Sequence, residues 1–487
     1  MEMYVKYEIH VNNVKSQIVQ PLPDQVIKAL RSKLSAEMVG AFYARQRNPY
    51  AGVRYFFSPK LQQFSTGLLH YVREILEKYN LEYEHVDMRP PVTLGTLLQL
   101  HDVTLRDYQQ QAVDLAVERQ RGIIRFGTGG GKTKTIASII ARLNVKTLIL
   151  IHKTDIFYQL IDTFEKTLKI PIGQIGDGLF EPQRVTVGMI QSVAHIFDPK
   201  VKVLAKENKI LAEKADAIKQ FLNEVEFVVV DECHHIAADT FWTVLQNIPN
   251  ALYRIGVTAT DFREDNMDLM LEGGLAKKFI DVSSSNLIDR GYLVKPDIFL
   301  LPVAHQRRKK GDTYGQVYKE EIVENYGRNI IICDLALKAK TAGKTVLISI
   351  TQIEHGEILE SMLQLRDKSA IFVNGQSKSE VRKQILKGLD QANNKIVIST
   401  NIFSEGVDIR GLDTLINAAG AASGIHSLQL LGRVLRTFPG KTKAWVIDLQ
   451  DSGKYLNNHS KERVQIYETE PRYQLVPVST IADVHFI

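Results

Sequence analysis

Residues 121–140 read Arg121-Gly122-Ile123-Ile124-Arg125-Phe126-Gly127-Thr128-Gly129-Gly130-Gly131-Lys132-Thr133-Lys134-Thr135-Ile136-Ala137-Ser138-Ile139-Ile140. The apolar run 123–126 reads as a buried strand, and Ile136, Ile139, Ile140 and Leu143 form one stripe of a following helix. Between them, Gly127, Gly129, Gly130 and Gly131 let the backbone wrap an anion with its N–H groups, and the helix N-terminus adds partial positive charge. In such a strand–loop–helix cradle Lys132 reaches the β- and γ-phosphates of a nucleotide, and the Thr133 hydroxyl holds Mg²⁺. Phe126 stands where the strict Walker pattern has its first glycine, so the strand–loop–helix context carries the reading.

The same alternation extends in both directions. Apolar β-branched runs at 147–151, 185–187, 227–230 and 254–257 are separated by amphipathic stretches, and the pattern repeats at 345–350, 370–373, 395–399, 414–417 and 443–448. Short, nearly unbroken apolar strands between helices predict parallel sheets covered on both faces. Residues 1–95 differ, with β-like runs at 4–10, 53–57 and 81–85, a helix opening at Asp24 as N-cap, and another near 68–79. Pro90-Pro91 punctuates the chain. The expected organisation is a small α+β domain over 1–95, then α/β domains over 96–295 and 296–487.

Composition sets the outer bounds. The chain has 487 residues, 44% hydrophobic and 24% charged, an ordinary globular mixture large enough for about three domains. Lys plus Arg (61) less Asp plus Glu (55) gives +6, too dilute to identify a partner without knowing where the charge lies. Two cysteines, Cys233 and Cys333, exclude a disulfide-stapled secreted scaffold and fit a reducing compartment. No secretory signal is expected at the start, and no apolar run approaches the ~18 residues needed to cross a bilayer.

A second chemical signal is Val228-Val229-Val230-Asp231-Glu232-Cys233-His234-His235. Two acids at the end of an apolar strand are costly to bury without a cation or a reaction to serve. Asp231 suits a Mg²⁺-associated carboxylate, and Glu232 a base that orients or deprotonates an attacking water. A metal site at Cys233, His234 and His235 is the weaker reading, since no second ligand pair lies at zinc spacing. Lys132 and Asp231 together point to nucleotide hydrolysis.

An ordered set of motifs resembles the superfamily 2 helicases over about 385 residues. Leu105-Arg106-Asp107-Tyr108-Gln109 resembles an adenine-reading Q-type motif, which implicates Arg106, Tyr108 and Gln109 in cofactor binding. Residues 127–133 are similar to motif I, and Asp231-Glu232-Cys233-His234 to a DExH-type motif II. Thr258-Ala259-Thr260 resembles motif III, which with His234 couples hydrolysis to nucleic-acid contacts in the family. Ser399-Thr400 through Gly406 and Asp408 resembles motif V, and Gln429 through Arg436 motif VI. The resemblance implies two tandem RecA-like motor domains using ATP and Mg²⁺. Arg433 and Arg436, three apart and expected on one helix face, would act as arginine fingers, with Gln429, Gly406 and Asp408 at the nucleotide. It also implies nucleic-acid contacts at Lys153, Thr154, Gln191, Ser192 and Thr400.

Between Glu37 and Glu74 there is no acidic residue, whereas Arg45, Arg47, Arg54, Lys60 and Arg73 alternate with Phe42, Tyr43, Tyr50, Tyr55, Phe56, Phe57, Phe64 and Tyr71. Cations among aromatics suit a duplex or branched nucleic acid, while about half of these rings are expected in the domain's own core. Arg307-Arg308-Lys309-Lys310 either grips DNA or is merely solvated, and the charged stretch 201–224 is a partner surface or a solvated arm. Residues 185–192, 287–293, 354–356 and 459–463 resemble the XPB-like branch, especially phage UvsW-type branch-migration helicases. The resemblance implies an ATP-dependent DNA helicase on branched DNA, in fork regression and junction migration during replication, recombination and repair. The alternatives are an RNA or RNA–DNA helicase, a double-strand translocase that separates no strands, and an ATP-gated clamp. A monomer in the cytoplasm of a bacterial or phage-infected cell is expected, with a nuclear setting as the other possibility.

Overall fold

The computed structural model describes residues 6–37, 52–204, 206, 208–234, 239–259, 268–305, 313–377, 384–385, 388–389, 394–400, 409–420 and 424–487. Arg45, Arg47, His235, Thr260, Gly406, Asp408 and the cluster 307–310 lie outside the described residues, as do Phe42, Tyr43 and Tyr50. Internal contacts divide the chain into two units, Met1–Arg125 with Gly131–Asp281 and Phe126–Gly130 with Val282–Ile487.

The first unit opens with a sheet whose strands run, in spatial order, Phe57–Ser58, Gln63–Ser65, Lys15–Ile18, Tyr7–Val11 and Tyr83–Asp87. Helices Asp24–Lys33 and Leu69–Lys78 bury Val26, Leu30, Val72 and Leu76. Pro23, not Asp24, occupies the N-cap; Asp24 is the first helical residue and contributes negative charge to the positive end of the helix rather than a side-chain cap. Phe56, Phe57 and Phe64 are core residues of this small domain. That core continues into Met270, with Trp242 and Leu269 packed against it.

The larger sheet of the first unit has the order Leu179–Glu181, Ile172–Gly176, Val185–Met189, Thr147–Ile151, Phe227–Asp231, Tyr253–Thr258, Arg121–Phe126, Lys278–Val282. From Ile172–Gly176 through to Arg121–Phe126 each neighbouring pair is parallel. Parallel register brings Ile151 opposite Met189 and Asp231 opposite Val257, so the carboxyl ends of these strands share one edge. Crevices outside that edge are where open α/β sheets bind ligands. The charged stretch 201–224 forms two helices, Pro199–Leu204 and Lys209–Glu224, the second burying Ala215, Ile218, Phe221 and Leu222.

The second unit is built on seven strands, ordered Ile371–Val373, Ile396–Ser399, Val346–Ser349, Thr414–Asn417, Lys443–Asp451, Lys295–Val303 and Gln474–Pro477. Every neighbouring pair is parallel. At the carboxyl edge a buried network ties several elements together. Asp451 accepts from Arg328 Nε at 2.8 Å and Nη2 at 2.9 Å, while Arg328 Nη1 donates to the Ala418 carbonyl at 3.1 Å. The His305 ring bridges Asp451 (Nε2, 2.9 Å) and Glu321 (Nδ1, 2.8 Å). Burial alone depresses an imidazole pKa, but the two carboxylates outweigh it and raise that of His305. For Asp451, burial pushes upward, yet Arg328 and His305 bring its pKa down to about 2.

Asp451→Asn leaves Arg328 and His305 buried against a neutral amide, and urea denaturation should register a loss of about 3–5 kcal/mol. The His305 contribution is complete below about pH 6.5 and is lost as pH rises through its raised folded value. The Asp451 contribution is complete above about pH 4 and is lost as pH falls toward 2. In the wild-type protein, denaturation midpoints should therefore fall from pH 6 to pH 9 by an increment that His305→Gln abolishes. An unchanged increment in that variant would contradict the bridged imidazolium.

Candidate nucleotide site and strand-end surfaces

Strand Arg121–Phe126 feeds the glycine loop, and helix Lys132–Leu143 leaves it. Gly131 caps the helix at φ 80°, and Gly129 has φ 86°, conformations that L side chains rarely adopt. Within the loop the Gly130 N–H donates to the Gly127 carbonyl at 2.9 Å. A Cβ on Gly131 would stand 2.1 Å from Gln109 Nε2, so the amide of Gln109 lies directly against the loop. Gln109 is held in turn, its Oε1 accepting from the Arg106 N–H at 2.8 Å, while Arg106 Nη1 donates to Tyr108 Oη at 2.8 Å. Tyr108 and Gln109 are buried on helix Asp107–Arg119. Arg106, Tyr108 and Gln109 thus form one connected group, with Gln109 touching the glycine loop.

Lys132 forms an ion pair with Glu232. Asp231 ends strand Phe227–Asp231, and its Oδ1 accepts from the Glu232 N–H at 3.0 Å. Glu232 has φ 46°, an uncommon left-handed setting for a non-glycine residue and one of the strains that cluster at functional sites. Burial pushes the Glu232 carboxyl upward, but the Lys132 ammonium and His234 hold it well below the usual carboxylate range. His234 Nδ1 lies 3.4 Å from Glu232 Oε2 and 3.0 Å from Thr258 Oγ1, joining the acid strand to the next one. Ala259 is buried beside Thr258. Burial raises the Cys233 thiol well above its ordinary pKa, and Cys233 packs where a Gly256 Cβ would meet its Sγ at 2.8 Å. Among the described residues no group of three His, Cys, Asp or Glu is placed to hold a metal. Thr133, in the first helical turn, and Asp231 provide one hydroxyl and one carboxylate, the sparse protein share that Mg²⁺ takes when phosphates and water complete its shell.

The Ile151–Met189 pairing sets two strand-end loops side by side. Lys153 caps helix Thr154–Leu168, Gln191 Nε2 donates to the His152 carbonyl at 3.2 Å, and Ser192 lies in the short helix Ile190–Ala194. In the second unit Thr400 follows strand Ile396–Ser399, and its carbonyl accepts from Ser399 Oγ at 2.6 Å. Helix Gly424–Val434 carries Gln429, whose buried amide nitrogen has no hydrogen-bond partner among the described residues. Arg433 is in its last turn, but Arg436 is not helical: it forms an isolated antiparallel bridge with Leu293, and the Val294 N–H donates to the Leu435 carbonyl at 2.8 Å. Strand-like pairing has replaced the helix there, so the expected shared helix face for Arg433 and Arg436 is corrected.

In the leading domain Lys60 is exposed. Arg54 instead turns inward, its Nη1 3.2 Å from Met270 Sδ and its guanidinium over the Trp242 ring. This seam escaped sequence reasoning. Gly67 approaches so closely that a Cβ would meet the Glu272 carbonyl at 1.9 Å, yet nothing in Thr66-Gly67-Leu68 marks it.

Residues 102–263 match the family described as type III restriction enzyme, res subunit, and residues 327–438 match the helicase conserved C-terminal domain. The chain is 25% identical over 399 residues to the ATP-dependent DNA helicase uvsW of Enterobacteria phage T4, covering 74% of this chain and 75% of that protein. It is 24% identical over 418 residues to the DNA 3'-5' translocase XPB2 of Sulfurisphaera tokodaii, covering 78% and 89%. Among solved structures, a fragment of a putative HsdR subunit of a type I restriction enzyme from Vibrio vulnificus aligns over 79% of this chain and 70% of that one, with TM-score 0.55 and 20% identity, a likeness of fold. These matches define an ATP-dependent helicase with tandem RecA-like domains behind a small α+β domain. The chain belongs to the superfamily 2 helicases and is related to UvsW and XPB.

Gly131→Ala should weaken binding of a fluorescent ATP analogue about tenfold, since it adds strain of ~1–3 kcal/mol and displaces Gln109. Anisotropy titration tests this; wild-type affinity in the variant would show that the loop tolerates a Cβ.

Proposed function

We propose that this helicase hydrolyses ATP with Mg²⁺ to drive movement on branched DNA, migrating or unwinding junctions and regressing forks. The observation that best supports the chemistry is the Lys132–Glu232 pair, in which a phosphate-loop cation and an ionised strand-end carboxylate meet. Nucleotide phosphates compete with Glu232 for the Lys132 ammonium. Once released, the carboxylate orients the attacking water and accepts its proton. Thr133 and Asp231 would hold Mg²⁺, which supplies charge neutralisation at the phosphates. Arg433 and Arg436 stabilise charge on the transferring phosphoryl group, and Gln429 offers its buried amide to the nucleotide. The His234–Thr258 hydrogen bond relays the state of Glu232 to the neighbouring strand.

Lys153, Thr154, Gln191, Ser192 and Thr400 contact the nucleic-acid backbone, with Lys60 contributing from the leading domain. The relatives named as a DNA helicase and a DNA translocase support DNA as the track. The translocase name also favours a second reading, movement along duplex without strand separation.

ATPase activity should rise with forked or four-way-junction DNA and be abolished by Lys132→Ala and Glu232→Ala. Turnover persisting in Lys132→Ala would place the site elsewhere. Unwinding of a fork, a four-way junction, a plain duplex and an RNA–DNA hybrid, each with and without ATP, separates the readings. Movement on duplex with no strand displacement on any of the four favours the translocase. Lys60→Ala should weaken fork binding and reduce the salt slope by about one.

A further inference from the structure

Four side chains outside the motifs assigned to nucleotide binding and coupling gather on the second unit. Tyr314 packs edge-on to Tyr455, with ring centroids 5.9 Å apart and planes at 87°, and lies 5.4 Å from the His459 ring. The Lys454 ammonium sits 4.9 Å from the centroid of Tyr455. The two tyrosine side chains remain about 40% exposed, although a small buried cluster of Val317, Tyr318, Ile322, Val323 and Leu456 lies beside them.

Two further observations make this more than a pair of surface rings. Tyr455 has φ 66° and ψ −45°, and the Leu456 N–H donates to the Lys454 carbonyl at 2.8 Å. That is a γ-turn of positive φ, rare and strained, and it holds the ring out at the start of helix Leu456–Glu468. The turn also follows strand Lys443–Asp451, at the carboxyl edge that carries Thr400 three strand spacings away, roughly 14 Å. Tyr318 links the cluster to that edge, its Oη bonding Thr351 Oγ1 and donating to the Ala419 carbonyl at 2.6 Å. His459 Nδ1 is 3.3 Å from the Gly420 carbonyl, on the segment that leads toward the motif VI helix.

We propose that Tyr314, Tyr455 and His459, with Lys454 at their side, form a stacking platform for an unpaired nucleobase. Aromatic faces accept any base, and an adjacent ammonium suits the phosphate that follows it. This assignment rests on the nucleic-acid motor reading above and adds a place where one strand is held by its bases rather than its backbone.

The test uses full-length Tyr314→Ala and Tyr455→Ala proteins, with anisotropy titrations of a single-stranded oligonucleotide and a blunt duplex across a salt series. Single-strand affinity should fall about tenfold in each, the scale of one lost base stack. The salt slope, duplex affinity and basal ATPase should be unchanged, because no phosphate contact is removed. Tyr314→Phe and Tyr455→Phe should bind like wild type. Tyr455→Gly, which removes the ring while relaxing the positive φ, should lose the same affinity and be more stable. Wild-type single-strand affinity in both alanine variants, an equal loss on duplex, or an altered salt slope would overturn the platform alone. A wild-type protein whose ATPase no DNA stimulates would overturn the motor reading and the platform with it.

Discussion

The ammonium of Lys132 lies in the first turn of a helix, at the end where the backbone dipole is already positive. Glu232 lies at the end of an apolar strand with 8% of its surface exposed, where burial alone disfavours its charge. Each charge is tolerable because the other stands beside it. The pairing requires the strand ending in Phe126 and the strand ending in Asp231 to finish at one edge of a parallel sheet. A one-residue slip in either would turn its end residue to the opposite face. Sheet register, the glycine loop and the strained φ of Glu232 therefore all serve one electrostatic arrangement.

How much of this was legible in advance depended on the range of the forces involved. The strands 147–151 and 414–417 match the structure residue for residue, because an unbroken β-branched run buried on both faces is a local signal. The strand–glycine loop–helix geometry was legible for the same reason, since its glycines and the following helix are contiguous. Strands Ile172–Gly176 and Leu179–Glu181 escaped notice: two glycines and a glutamine interrupt the first, and the second pairs only at the sheet edge. Arg436 was misplaced because helical spacing was extrapolated through a point where pairing with Leu293, distant in sequence, takes over the backbone. His305, Glu321, Arg328 and Asp451 come from four separate segments and gave no sign of meeting.

In the leading domain, composition leaves the destination of Arg54 open. An acid-free window rich in arginine and aromatic residues suits a polyanion, yet Arg54 is directed at Met270 and Trp242, and Phe56 stacks edge-on to Trp242 at 5.2 Å. The cations and rings of such a window have two outlets, a ligand or a neighbouring domain, and composition is the same for both. For Arg54 and Phe56 the geometry selects the neighbouring segment. Gly67 lets the short 3-10 helix Thr66–Leu68 lie against the backbone of helix Asp268–Leu275, and the Lys277–Glu74 pair at 3.3 Å flanks the contact.

That seam continues inward without a break. Leu275, at the end of the same helix, reaches within 2.5 Å of where a Gly256 Cβ would stand, and Gly256 faces Cys233 in the same way at 2.8 Å. Cys233 directly follows Glu232. Three close approaches, each possible because a glycine omits a side chain or a small thiol fills the gap, thus join the leading domain to the acid strand. Close-packed interiors have little slack to absorb a shift. The leading domain and the strand bearing Asp231 consequently behave as parts of one packed body, and the role of Cys233 is to be small, apolar and protonated beside the charged residue that precedes it.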